Sequence, residues 1–173
     1  MPAIQVRKAR IAESQAIAII HVTSWQTTYR GYMDDAFLNA LTPESRMGMW
    51  AGALSGNIPR FDILVAEIES KIVGFCSTGP NRDDDAPEQS GELFAIYVDP
   101  DRIREGIGTA LLTTAEETMR ERGFKSAILW VLRENSPARA FYESAGWTDD
   151  GSEKKENMAG QTIVEVRYSK ALI

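Results

Sequence analysis

Two spacings of apolar residues alternate along the chain. Strict alternation or short unbroken apolar runs are typical of strands, and apolar residues three or four positions apart are typical of helices. On this basis the 173 residues predict strands at 4–8, 62–68, 72–78, 92–98, 126–132 and 161–170. They predict helices at 12–29, 34–41, 43–54, 107–122 and 136–145. The run at 127–132 is apolar throughout, so we expect its strand at the centre of a sheet covered on both faces.

The segment from 92 to 122 carries the clearest chemical signal. A strand is followed by Asp-Pro, then by a turn containing two arginines and two glycines, then by an amphipathic helix. The first N–H groups of a helix lack partners within the helix and lie at the positive end of its dipole. Gly106 and Gly108 would let an oxygen-rich ligand approach the backbone, and Arg102 and Arg104 add positive charge. This pattern predicts a phosphate site.

Two commoner phosphate motifs do not match. The dinucleotide fingerprint needs a third glycine where Leu111 stands, and a P-loop needs Gly-Lys followed by Ser or Thr. A glycine-rich turn that only begins a helix is the alternative interpretation.

Composition narrows the functional classes. The length fits a single domain spanning residues 1–173. A net charge of −6 disfavours nucleic-acid binding, and no apolar run is long enough to cross a membrane. The beginning of the chain has no signal-peptide pattern, so we expect a cytoplasmic protein. Cys76, the only cysteine, lies in an apolar strand, where we expect a buried and unreactive thiol.

A second motif gives these elements a family resemblance. The Arg/Gly turn and its helix are followed by the apolar strand and then by N-x-x-A-x-x-F-Y-E-x-x-G-W at 135–147. The order and spacing over 63–147 closely resemble the GCN5-related N-acetyltransferase family. The W-Q-x-x-Y-R-G-Y segment at 25–32 is similar to a prokaryotic subgroup of that family.

The resemblance implies an α/β fold with a strongly twisted mixed central sheet flanked by helices. It also implies that acetyl-CoA lies where the strands at 92–98 and 126–132 splay apart. By the same resemblance, the residues expected to contact the coenzyme are Ile96, Tyr97, Val98, Arg104, Glu105, Gly106, Ile107, Gly108, Thr109, Asn135 and Tyr142. Ser136 is expected to cap the helix that follows, leaving the Asn135 amide free for the coenzyme. Position 103 departs from the family pattern, since Ile103 stands where Arg or Gln is usual.

Acetylation of an amine needs a neutral nitrogen, a donor for the oxyanion and a proton for the leaving thiolate. Glu92, at the start of the coenzyme strand, is the candidate base; the alternative is a solvated carboxylate at a strand end. A backbone N–H near Ile96 or Tyr97 would stabilise the oxyanion. Tyr142 matches the family's acid, with simple packing as the alternative. His21, the only histidine, is a second candidate base or a packed helix residue.

Three aromatic residues near the expected acceptor entrance are candidates for substrate binding: Trp25, Tyr29 and Tyr32. They recur at helical spacing, so packing in the core is the alternative interpretation. The acidic run at 83–85 could attract a cationic amine or could be a solvated loop.

Together these features predict an N-acetyltransferase that moves the acetyl group of acetyl-CoA directly to a primary amine of a small molecule or protein. No metal is expected, and the resemblance allows a homodimer. The alternative function is a non-catalytic acyl-CoA-binding sensor or regulatory module. The identity of the acceptor amine is left open.

Overall fold

The computed structural model describes residues 2–173, which form a mixed sheet with helices on both faces. The strands are β1 (Gln5–Lys8), β2 (Asp62–Ile68), β3 (Lys71–Pro80), β4 (Ser90–Val98), β5 (Ser126–Leu132), β6 (Thr148–Met158) and β7 (Gln161–Ala171). The helices are α1 (Ser14–Thr28), α2 (Asp35–Ala40), α3 (Pro43–Ser55), α4 (Ile107–Glu121) and α5 (Ser136–Ser144). Short 3₁₀ turns at Ile11–Glu13 and Pro100–Arg102 precede α1 and α4.

The sheet has seven strands in the order β1-β2-β3-β4-β5-β7-β6. All neighbouring strands are antiparallel except β4 and β5, which are parallel. This arrangement confirms the predicted mixed sheet, with the strand at 126–132 inside it. Helices α1 and α3 pack with the hydrophobic cluster on one face, and α4 packs on the other face.

A bulge in β4 sets the shape of the sheet centre. Leu93 pairs with Thr78 of β3 and Ala95 pairs with Ser77, so Phe94 is an extra residue in β4. The parallel pairing of β4 with β5 ends at Leu93, although both strands continue. A bulge bends its strand and interrupts the ladder. The two central strands therefore separate where the sequence resemblance predicted a splay.

The bulge also changes which side chains share a face. Phe94 and Ala95 are consecutive, and after them the alternation resumes with Ile96 and Val98 packed on the α4 side. Tyr97 packs on the α1 and α3 side. Cys76 is fully buried, as predicted, and burial raises the pKa of its thiol to about 12.

Two helix boundaries differ from the sequence prediction. Helix α1 ends at Thr28, and Gly31 has a φ of +91°, so Tyr32 lies beyond the helix rather than on its face. Helix α5 is capped by Asn135, whose Oδ1 accepts a hydrogen bond from the Ala138 N–H at 3.2 Å. The predicted Ser136 cap is wrong because both residue types can cap a helix and the chain reaches capping geometry one residue earlier.

Candidate active site

A cleft of about 810 Å³ lies between the end of β4, the beginning of α4 and one side of α5. We call it the α4–α5 cleft. Gly106 is the N-cap of α4 with a φ of +83°, a conformation that suits glycine, and no side chain caps the helix. A Cβ at Gly108 would lie 3.4 Å from the Phe141 ring. The first-turn amides of α4 are thus open to an anionic ligand, as the turn sequence predicted.

Most residues predicted to contact a coenzyme do line this cleft, and they belong to three separate elements. They are Ile96, Val98, Arg104, Gly106, Ile107, Gly108, Thr109 and Tyr142. Glu105 is not among them, because its side chain pairs with Arg102 at 2.9 Å. Arg102 is therefore one half of an ion pair rather than the free charge that the sequence indicated. Ile103 lines the cleft with 62% of its surface exposed.

Tyr142 lies deep in the α4–α5 cleft. Only 8% of the residue is exposed, and its ring packs beside Phe141 and Trp147. The hydroxyl makes no hydrogen bond within residues 2–173, and every fully buried side-chain polar atom there has a partner, so the hydroxyl reaches the cleft surface. Burial raises the pKa of the phenol above its ordinary value. Tyr142 therefore keeps its proton at neutral pH, with its hydroxyl facing the cleft.

A second cavity of about 390 Å³ opens beside β4, β5 and β7, and we call it the acceptor cavity because two of the residues predicted to bind the acceptor line it. A smaller cavity of about 210 Å³ lies in the splay between the other two. It shares Tyr29 and Tyr97 with the acceptor cavity, and Ile96 and Tyr142 with the α4–α5 cleft. The three cavities are thus neighbours along the splay. Asn135 and Ala138 line the middle cavity, so the cap of α5 also faces the splay.

Glu92 lines the acceptor cavity with only 1% of its surface exposed. It lies inside β4 rather than at a solvated strand end, and Arg82 engages both of its oxygens. The Arg82 Nη2 donates to Oε1 at 2.9 Å, while the Arg82 Nε and backbone N–H donate to Oε2 at 3.3 and 3.1 Å. The candidate base is therefore held in a forked ion pair at the cavity wall.

Two of the three predicted acceptor-site aromatics reach the cavity. Trp25 and Tyr29 line it, and the Trp25 Nε1 donates to the Tyr97 hydroxyl at 2.9 Å. Tyr32 does not line it; its hydroxyl donates to the Glu134 carbonyl at 3.3 Å instead. Its position beyond the end of α1 explains the difference, because helical spacing no longer applies there.

His21 is a packed residue rather than a base in the cavity. Its Nδ1 accepts a hydrogen bond from Trp50 Nε1 at 3.0 Å, and its ring stacks on Tyr97. Burial, together with the nearby Arg46 charge, lowers the pKa of the imidazole to about 4. The ring is neutral at pH 7.

The acidic run at 83–85 is partly structural. Asp83 and Asp85 both pair with Arg167 of β7, at 3.1 and 2.8 Å. The Asp83 carboxylate also accepts from Trp130 Nε1 at 2.9 Å and lines the acceptor cavity. The loop before β4 is thereby tied to the opposite wall of the cavity.

The β6–β7 hairpin supplies cavity residues that sequence reasoning missed: Lys154, Glu156 and Glu165. One signal was present, since Glu165 and Arg167 interrupt an apolar run in a strand. Charged residues rarely lie on a covered face without a partner or a function. Trp130 of β5 was likewise treated only as part of an apolar run, yet it forms part of the cavity wall.

Two further features of residues 2–173 bear on function. The described chain contains no group of three or more His, Cys, Asp or Glu side chains arranged to hold a metal ion. None of its helices combines the length and apolar character needed to cross a bilayer.

Known proteins share this sequence and fold. The sequence model of the Acetyltransferase (GNAT) family matches residues 22–147. The uncharacterized N-acetyltransferase YuaI of Bacillus subtilis (strain 168) is 33% identical over 165 residues, covering 94% of this chain and 90% of that protein. The spermidine N(1)-acetyltransferase of Thermoplasma acidophilum is 26% identical over 156 residues, covering 87% of this chain and 93% of that protein.

A solved structure extends the likeness to the fold. The PaiA N-acetyltransferase of Thermoplasma acidophilum, in complex with coenzyme A, superimposes with a TM-score of 0.70. The two chains are 23% identical, and the superposition covers 98% of this chain and 99% of the PaiA chain. The chain described here therefore belongs to the acetyltransferase (GNAT) family and is an acetyl-CoA-dependent N-acetyltransferase.

Proposed function

We propose that this protein transfers the acetyl group directly to a primary amine that enters through the acceptor cavity. The observation that carries the proposal is the row of adjacent cavities along the splay, with Tyr142 on one side and the carboxylates of the acceptor cavity on the other. An acceptor and a donor would meet at the splay without a covalent enzyme intermediate. Cys76 is fully buried and lines none of the three cavities.

The α4–α5 cleft fits the coenzyme by its chemistry. The open amides of the first turn of α4, after Gly106, would hold the pyrophosphate. Beyond Leu93, β4 has no strand partner on the β5 side, so the backbone of Ile96 and Val98 would pair with the pantetheine arm. When bound, acetyl-CoA supplies an acetyl group activated as a thioester. Tyr142 would provide the proton that the departing sulfur needs.

On the acceptor side, an alkylammonium must lose a proton before it can attack. An amine with a pKa near 10.4 is neutral in only about one molecule in 2,500 at pH 7, equivalent to about 4.6 kcal/mol. A carboxylate in the acceptor cavity would accept that proton. Trp25 and Tyr29, with the other aromatic walls, would hold the body of the amine.

Glu92 as the proton acceptor stays a prediction, and substitution tests it. We expect Glu92→Gln to lower kcat/KM by at least about tenfold, because the variant loses a negative charge beside the ammonium and leaves Arg82 without its partner. If Glu92 also takes the proton, the fall of kcat/KM at acidic pH disappears in the variant. An unchanged pH profile would assign the proton to another group.

The first test of the proposed function is binding of the donor. Acetyl-CoA at 100 times its Kd is expected to stabilise the protein by about 2.7 kcal/mol, which raises Tm by roughly 5 to 10 °C. ATP and NAD serve as controls. A screen of primary amines for release of free CoA thiol then identifies the acceptor, beginning with spermidine because the Thermoplasma acidophilum relative is named for it. A selective shift without amine-dependent thiol release would support the non-catalytic binding function instead.

A further inference from the structure

Glu165 occupies an unusual position on β7. It lines the acceptor cavity, and its side chain is only 20% exposed. The carboxylate makes no hydrogen bond within residues 2–173, and its nearest cation, the Lys154 Nζ, lies 3.8 Å away. A half-buried carboxylate usually has closer partners than this. Its oxygens are therefore available to whatever occupies the cavity.

The contrast with Glu92 separates the two carboxylates. Glu92 accepts hydrogen bonds from three Arg82 groups, at 2.9 to 3.3 Å. Both of its oxygens are thus engaged by Arg82. Glu165 has only the longer ion pair with Lys154, and it lies on the strand that faces the cavity from the β5 side.

The surroundings of Glu165 favour a proton on its carboxylate. Burial raises its pKa above the ordinary glutamate value, and Glu156 of β6 acts in the same direction. Lys154 of β6 and Arg82 oppose the shift, but their opposition is smaller than the effect of burial. The titratable groups on the remaining walls are Asp83, Glu92, Tyr29 and Tyr97. A general base is most effective when its pKa approaches the working pH.

We propose that Glu165 accepts the proton of the acceptor's ammonium group. An N–H bond of R–NH₃⁺ breaks and an O–H bond forms on the carboxylate, giving R–NH₂ and a neutral Glu165. The proton then passes from Glu165 to water at the mouth of the cavity, and the nitrogen lone pair is free to attack. This proposal rests on the proposed function, and it assigns Glu92 the separate task of attracting the ammonium by its charge.

The test compares Glu165→Gln with Glu92→Gln and with Glu153→Gln. Glu153 is on the same hairpin but pairs with Arg133 and lies outside the cavity, so it is a matched control for the loss of one carboxylate. The kinetic measurement is kcat/KM against pH, using the amine that releases thiol fastest in the screen. Carboxyl titration of ¹³C-glutamate-labelled protein, with Glu165 assigned from the signal missing in Glu165→Gln, gives a measurement independent of turnover.

We expect Glu165 to titrate above the ordinary glutamate pKa of about 4.3. Glu165→Gln should lower kcat/KM about 100-fold at pH 7 and remove the dependence on pH at the acidic side, with unchanged KM for acetyl-CoA. Glu153→Gln should match the wild type. A Glu165 signal at or below the ordinary pKa, or a wild-type pH profile in Glu165→Gln, overturns the proposal. The proposal is also overturned if the fall of kcat/KM at acidic pH disappears in Glu92→Gln but persists in Glu165→Gln.

The two failures are distinguishable. Absence of amine-dependent thiol release from the wild-type protein defeats the proposed function, whatever Glu165 does. The carboxyl titration still decides whether the Glu165 carboxylate has the raised pKa that a base in this cavity needs.

Discussion

Tyr142→Phe is expected to lower kcat about 100-fold while leaving the affinity for acetyl-CoA almost unchanged. The hydroxyl is the proposed proton donor for the departing sulfur, and general acid catalysis contributes about 100-fold or more. Because burial raises the pKa of the phenol, its proton stays in place through neutral and mildly alkaline pH. Single-turnover thiol release, with the Tm shift on adding acetyl-CoA measured in parallel, separates the two effects.

A neighbouring tyrosine provides the matched control. The Tyr168 ring lies 6.3 Å from that of Tyr142, but its hydroxyl donates to Glu143 at 2.6 Å and accepts from Arg139 at 2.9 Å. Tyr168→Phe should therefore cost about 2 kcal/mol of stability, or roughly 4 to 8 °C in Tm, with near-normal turnover. Tyr142→Phe should change stability by less than about 0.5 kcal/mol. Normal turnover in Tyr142→Phe would show that the sulfur receives its proton elsewhere.

Gly106→Val is expected to raise the Kd for acetyl-CoA by about 10- to 100-fold. Gly106 lines the α4–α5 cleft next to the first-turn amides, and a valine side chain there would narrow the space in which the ligand reaches them. Each charge-assisted hydrogen bond lost costs about 1.5 to 3 kcal/mol. Isothermal titration of the folded variant with acetyl-CoA measures this change.

Strain is the competing explanation, since valine at a φ of +83° costs about 1 to 3 kcal/mol by itself. Gly151→Val isolates it. Gly151 has a φ of +85° and lies on β6 away from the α4–α5 cleft, and a Cβ added there would meet no atom within 4 Å. The variant should lose similar stability but bind acetyl-CoA normally. Equal affinities in the two variants would contradict the placement of the pyrophosphate at α4.

The order and type of the elements other than β6 were predictable because each depends on local spacing. The turn before α4 is one example, since glycines at 106 and 108 followed by an amphipathic helix predict the same local structure in any fold. The ion pairs were not predictable in this way. Arg102 pairs with Glu105, although the sequence indicated a free charge, and Arg82, which the sequence did not single out, pairs with Glu92. Pairing depends on side-chain direction and on neighbours brought close by folding.

The N-cap of α5 was also not predictable from the sequence. Asn135 and Ser136 are both good caps, and the sequence alone does not rank them in this context. In the folded chain the cap is Asn135, whose side chain accepts from the Ala138 N–H. The helical spacing of Trp25, Tyr29 and Tyr32 likewise ended at Thr28, where the chain leaves α1.

By itself, the sequence determined six of the seven strands, the five helices, the turn predicted to bind an anion and the family resemblance, since all of these follow from residue spacing along the chain. Only the tertiary structure decided which charges meet. The β4–β5 pairing ends beside the bulge at Phe94, where three cavities lie next to one another, and the β6–β7 hairpin brings Glu165 to one of them from 73 residues beyond Glu92. Contacts across such a distance depend on register and packing, which no local pattern encodes.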